Sequence, residues 1–410
     1  AMFDYRGITS FASSSPQRLT KFMGYIGYAV NGVNNHLYKS FVPFTDSLLG
    51  IKYVILDSST SDKLQSDPYL KYVDKAEHNG VTYTIYKNTS ALPLGYFVNT
   101  SIKDWLPSQY DPITSINSFY SGLLNRDVEL LDLWQISSGY SDGIGNVNGS
   151  YSFTIYPTND NDQATFEVRI GKSGQIFAFI DCRAADRIEI STAGNSWNAS
   201  TREPYIINTG YLQEGDTVTV TIKSDEVCSG NIYIGTLNQG LFDDAIRQLS
   251  ETPLKVTSFS DTKITAQINA PGNGTVFTSI PYDAGWTVKV DGKKVETFAG
   301  GDAMLAFDTT PGQHTVEFSF ATRGLLPGAV LSLASLALLI LLNLFIKKCV
   351  DPENPDDNEF AAFSRVFLPS QEIPPQEALT PQDATQAPET AGDLNAPPHQ
   401  EVETLQEPTE

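Results

Sequence analysis

The chain has 410 residues, of which 40% are hydrophobic and 11% aromatic, and a formal net charge of −21. That length allows roughly two to four domains of about 100–200 residues, and the apolar content excludes disorder for most of the chain. The acidic balance excludes a nucleic-acid partner, because phosphate binding needs a concentrated basic surface.

Residues 1–135 are expected to form an α+β subdomain. Ser15-Pro16 supplies a helix start, and Leu19, Phe22, Met23 and Ile26 follow with helical spacing. TDSLLGIKYVILD predicts a short helical turn, a break at Gly50 and a strand from Lys52 to Leu56. Val81 to Asn88 alternates as a half-buried strand. Asp111-Pro112 then opens a helix with Ile113, Ile116, Phe119 and Leu123 along one side.

Residues 145–250 read as a β-sandwich. Phe166, Val168 and Ile170 alternate with polar neighbours, as do Val218, Val220 and Ile222. One helix follows, with Phe242, Ala245, Ile246 and Leu249 facing inward. Residues 253–322 read as a second β-sandwich module. Trp286, Val288 and Val290 share one side of a strand, and Asp291-Gly292 predicts a hairpin turn with positive φ at both positions. Val316, Phe318 and Phe320 alternate in a last strand that ends close to the next segment.

That segment, 324–346, holds no charged side chain. About 20 apolar residues at 1.5 Å each cross the hydrocarbon of a bilayer, whereas core helices are usually shorter and apolar on one side. A transmembrane helix is therefore predicted. Lys347 and Lys348 flank one end and Arg323 the other. The positive-inside rule then places residues 1–322 outside the cell membrane and 349–410 in the cytoplasm. The opening AMFDYRGITS has neither the basic nor the apolar part of a signal peptide, so the chain is read as the C-terminal portion of a longer membrane protein. From Cys349 onward, 14 acidic residues stand against one arginine, with ten prolines, which predicts a disordered acidic tail.

No catalytic constellation stands out. His36, His78, His314 and His399 are scattered, and no Cys or His spacing matches a metal site, so neither metal nor cofactor is predicted. NDNDQ (Asn159 to Gln163) reads as a solvated turn rather than a calcium loop. Cys182 and Cys228 fall beside predicted strands of the first sandwich. Outside the cell they could close a disulfide, adding roughly 3–4 kcal/mol in the chain-entropy model, and two buried free thiols are the competing reading. Trp197 and Trp105 are candidate sugar-stacking surfaces, whereas Trp286 fits the core pattern. Asn88, Asn99, Asn148, Asn198 and Asn273 satisfy the N-glycosylation tripeptide, which arises often by chance.

Four segments, in order and spacing, resemble the C-terminal part of the YfhO family of bacterial membrane proteins. They are TDSLLGIKYVI (Thr45 to Ile55), YKNTSALPLGYFV (Tyr86 to Val98), SIPYDAGWTVKVDGKKV (Ser279 to Val295) and TTPGQHTVEFSF (Thr309 to Phe320). The resemblance covers roughly residues 1–346 and leaves the tail unmatched. It implies a many-pass enzyme similar to the GT-C class of glycosyltransferases. Such an enzyme takes sugar from a polyprenyl-phosphate carrier and transfers it to cell-envelope polymers such as lipoteichoic acid. The resemblance also puts the catalytic carboxylate near the start of the membrane part, so no catalytic residue is carried over to this chain. The alternative from another class is a non-catalytic, membrane-anchored surface protein whose sandwich domains bind glycan or protein.

Overall fold

Residues 7–11, 15–108, 111–137, 144–159 and 162–349 are described by a computed structural model. Alternating side chains set most of its strands. In Gln163–Arg169 and Thr217–Lys223 every second residue is buried, and the register pairs Phe166 with Val220 and Val168 with Val218. Arg187–Ser191 and Ser196–Ala199 complete this four-stranded sheet. It packs on a second sheet ordered Ile207–Leu212, Gly174–Asp181, Cys228–Leu237, Ser152–Ile155, Gly145–Val147. Between them lies an aliphatic core that includes Ile176, Ile180, Ile190, Ile222, Ile232 and Ile234. This is the first predicted sandwich.

The second sandwich pairs a five-stranded sheet (Lys255–Phe259, Lys263–Ala270, Gly312–Phe320, Trp286–Val290, Lys293–Val295) with a four-stranded one. Asp291 and Gly292 both take positive φ, 51° and 78°, as the hairpin dipeptide predicts. Trp286 packs against Phe320 at 5.1 Å on the margin of this core.

Two short strands from the N-terminal portion complete these sandwiches. Gly95–Val98 adds to the four-stranded sheet of the second, pairing Val98 with Thr275. Leu131–Trp134 adds to the first, pairing Leu131 with Leu237. The other N-terminal elements are helices α1 (Gln17–Tyr25), α2 (Pro43–Leu48), α3 (Ser58–Leu64) and α4 (Pro112–Leu124), with two three-stranded sheets. Asp111 caps α4 by accepting from the Thr114 amide at 2.6 Å, with Pro112 in the first turn. Helix α1 starts at Gln17 after Pro16, one residue later than the sequence suggests and without a side-chain cap.

Helix α5 (Gln239–Ser250) buries Phe242, Ala245 and Leu249 in a third core, together with Phe22, Phe44, Phe119 and Tyr120. Both sandwiches contribute to it: Phe177 and Phe179 from the back of the first, Phe277 and Met304 from the second. Strand Gly174–Asp181 is thus buried on both faces, which explains its unbroken apolar run. Among the described residues, those up to Pro327 form one compact unit and those from Gly328 another.

Helix α6 (Leu325–Cys349) contains the predicted span. Its stretch Leu325–Phe345 has a mean hydropathy of 2.5, and none of it is buried in protein. At 1.5 Å per residue this stretch is about 30 Å long, the thickness of bilayer hydrocarbon. The acidic tail from residue 350 lies outside the described residues.

Candidate functional site

Strand Ser196–Ala199 pairs with a single neighbour, Arg187–Ser191, so one edge is free. At the open end of this hairpin the surface dips into a groove of about 640 Å³. Arg187, Asn198, Ser200, Thr201, Arg202 and Glu203 line it. The Arg187 guanidinium donates to Glu189 at 3.1 Å and to Asn198 Oδ1 at 3.5 Å. The Glu203 amide donates to Ser200 Oγ at 3.0 Å, shaping the turn below. Arg202 is exposed and has no ion pair or hydrogen bond among the described residues. Hydroxyls, an amide, two guanidinium forks and the carboxylates of Asp186 and Glu203 make a lining of mixed charge, which suits a ligand rich in hydroxyl groups.

Trp197 borders the groove but is not open to it. Its ring packs on the margin of the first sandwich core, and the Lys63 ammonium lies 5.0 Å from the ring centroid. Lys63 also donates to the Ser196 carbonyl at 2.7 Å, which fixes it there. A sugar stacking on this ring must displace Lys63. Trp105 is only 8% exposed, enclosed edge-to-face by Phe119 at 4.8 Å and Phe22 at 6.2 Å. Its indole N–H donates to Ser118 Oγ at 2.9 Å. It is a core residue, and the expectation of a stacking surface does not extend to it.

A buried polar cluster was not foreseen from the sequence. Asp46 of α2 is fully buried and accepts from the Tyr28 hydroxyl at 2.7 Å and the Tyr38 hydroxyl at 2.6 Å. Burial pushes its carboxyl up to about 7, with a smaller push from Asp67, while the two tyrosine donors oppose the shift. Asp67, also raised by burial, accepts from the Tyr69 amide and from Asn208 Nδ2, both at 2.9 Å. Asn208 sits on strand Ile207–Leu212, so the cluster ties the N-terminal elements to the first sandwich. Nearby, Ser47 bonds Ser90 at 2.7 Å, and Asn88 donates to the Ile51 carbonyl at 3.0 Å. Segments 45–55 and 86–98, which carry the family resemblance, are thereby locked together. Asn88 is 2% exposed, so a glycan cannot be attached there. The adjoining cavity, of about 10 Å³, has room for about one water, which makes the cluster structural rather than a substrate site.

Cys182 and Cys228 are buried free thiols. The register pairs Asp181 with Asn231, which sets the two cysteines diagonally across adjacent strands. Burial, and then the neighbouring thiol, push Cys182 up to about 12. Among the described residues no three His, Cys, Asp or Glu side chains gather around a metal position. In the NDNDQ turn Asp162 accepts from the Thr158 amide at 2.8 Å, and residues 160–161 lie outside the described ones. Arg323 is exposed just before α6, and Lys347 and Lys348 lie in its last turn, their side chains undescribed.

Solved structures offer little. The chain is similar to a cupin 2 conserved barrel domain protein from Leptotrichia buccalis at 11% identity, over 45% of this chain and 92% of that one, with a TM-score of 0.12. Vicilin from Corylus avellana (hazelnut) matches at 8% identity over 48% and 82%, with a TM-score of 0.12. A Paenibacillus xanthan lyase matches at 11% identity over 68% and 33%, with a TM-score of 0.16. At such scores the likeness carries no weight. No curated protein matches the sequence. The model of the family described as "Bacterial membrane protein YfhO" matches residues 1–332, most of the chain and every described strand. This chain belongs to the YfhO family of bacterial membrane proteins.

Proposed function

We propose that this chain serves a membrane glycosyltransferase that takes sugar from a polyprenyl-phosphate carrier and transfers it to a cell-envelope polymer such as lipoteichoic acid. Membership of the YfhO family over residues 1–332 carries this reading. In it the body of sheets lies outside the membrane, α6 crosses the bilayer, and the transfer chemistry belongs to membrane-embedded segments of the parent protein. The groove beside Ser196–Ala199 holds the acceptor polymer. Two guanidinium groups clamp its oxygens while the hairpin fixes their direction, an orientation role that lowers the entropic part of the barrier.

The test uses cells carrying the complete gene. Replacing Arg187 and Arg202 together with alanine should lower sugar incorporation into the polymer by roughly tenfold, the value of a lost charge-assisted hydrogen bond. The amount of the protein in the membrane should stay unchanged, since both side chains are at the surface. Undiminished incorporation at equal abundance contradicts the proposed acceptor site. Polymer binding without any sugar transfer, in the unaltered protein, favours a non-catalytic surface protein instead.

A further inference from the structure

The three-stranded sheet formed by Tyr53–Asp57, Val81–Asn88 and Leu70–His78 has an unusual outer face. Its inner face is ordinary: Val54, Leu56, Thr84 and Tyr86 are buried beneath it. Strand alternation should then put polar residues outside, as Thr219 and Glu167 are on the first sandwich. Instead, Tyr53 is 54%, Ile55 56% and Val81 39% exposed. The register sets Ile85 beside Ile55 and Tyr83 beside Asp57, whose carboxylate caps α3, so the apolar surface continues, with exposed Asp74 beside Ile85 on the outer strand as an acidic margin.

One border of this surface is basic. Tyr53, Lys87 and Lys71 form a row straight across the three strands, and Lys52 precedes Tyr53 with its ammonium 5.7 Å from that ring. Lys71 and Lys87 are direct cross-strand partners, both exposed, with no ion pair among the described residues. Like charges placed opposite each other destabilise a sheet, so the fold by itself gives no reason for this pair. A negatively charged partner does.

We propose that this face docks on an anionic lipid surface, with the tyrosine, isoleucine and valine side chains in the headgroup–acyl boundary and the lysines on lipid phosphates. Tyrosine and lysine are suited to that boundary, because each has an apolar body and a polar end. Anionic headgroups attract lysines lying within a Debye length. A bilayer is a permanent neighbour of this chain, which carries an apolar stretch long enough to span one and belongs to a membrane-protein family. The inference is independent of sugar transfer.

The test uses the full chain in nanodiscs, with Cys349→Ala and Ile55→Cys, labelled at residue 55 by an environment-sensitive fluorophore. Emission should be blue-shifted and several-fold brighter in discs containing phosphatidylglycerol than in phosphatidylcholine alone. Lys71→Glu with Lys87→Glu should abolish that difference. Equal emission in the two lipids overturns the proposal, as does a gain that survives both charge reversals. A gain seen only with two chains per disc also overturns it, since a second copy then covers the face.

Discussion

Replacing Phe119 with alanine is expected to cost about 3–5 kcal/mol of stability, the usual price of emptying a buried aromatic site. Phe119 is fully buried where four parts of the fold meet. Its ring contacts Phe22 of α1 at 5.7 Å, Trp105 just after the 3-10 turn Thr100–Asp104 at 4.8 Å, and Phe277 of the second sandwich at 5.7 Å. Against a typical total of about 5–15 kcal/mol, that loss is a large fraction. Because the core also includes Phe177 of the first sandwich, the loss should be felt across residues 1–327. Denaturant titration should show the transition midpoint fall for both sandwiches, with Phe119→Leu recovering part of it. A loss below about 1 kcal/mol, or a shift confined to one sandwich, contradicts the shared core.

Asp46→Asn should flatten the pH dependence of stability. The folded carboxyl titrates near about 7, above the 3.8 of a free aspartate, so the folded chain holds this proton to higher pH than the unfolded chain. Its stabilising contribution is complete below the unfolded value and is lost as pH rises through the folded one, by at most about 4 kcal/mol. Asparagine has no proton to lose, and its carboxamide still offers an acceptor to a tyrosine hydroxyl. Asp67, raised in the same direction, leaves a residual slope of the same sign. Denaturation midpoints measured at pH 5 and pH 8 check this: the fall seen in the unaltered protein should shrink in Asp46→Asn. By contrast, Asp46→Ala strands the Tyr28 and Tyr38 hydroxyls and should be destabilised at both pH values, by about 1–3 kcal/mol for each lost partner. Equal slopes in Asp46→Asn and the unaltered protein contradict the assignment.

Much of the fold was legible because its signals are local. Val168 and Val220 alternate with polar neighbours on a two-residue period, Asp291-Gly292 states its own turn, and 324–346 is uncharged throughout. Long-range pairing leaves no such trace. Gly95–Val98 and Leu131–Trp134 are four-residue strands whose partners, at Thr275 and Leu237, lie far along the chain. Nothing in either segment names the sheet it joins. Neither Trp105 nor Trp197 lies in an alternating apolar pattern, and the ring contacts around each separate a core residue from one capped by Lys63. The groove lies at the open end of a hairpin, and its arginines have no motif spacing. Asp46, Tyr28 and Tyr38 converge through folding of α2 against the turn after α1, so their cluster could not be read from residue order.

Orientation of the chain is the claim on which the acceptor site depends. It is tested most directly by labelling Lys255→Cys, an exposed position on the second sandwich, and native Cys349 with a membrane-impermeant maleimide on intact cells. Cys182 and Cys228 are buried and should not react. The account predicts label at position 255 and none at Cys349 until the membrane is permeabilised. Label at Cys349 in intact cells, with position 255 protected, would place the sheets in the cytoplasm and contradict it.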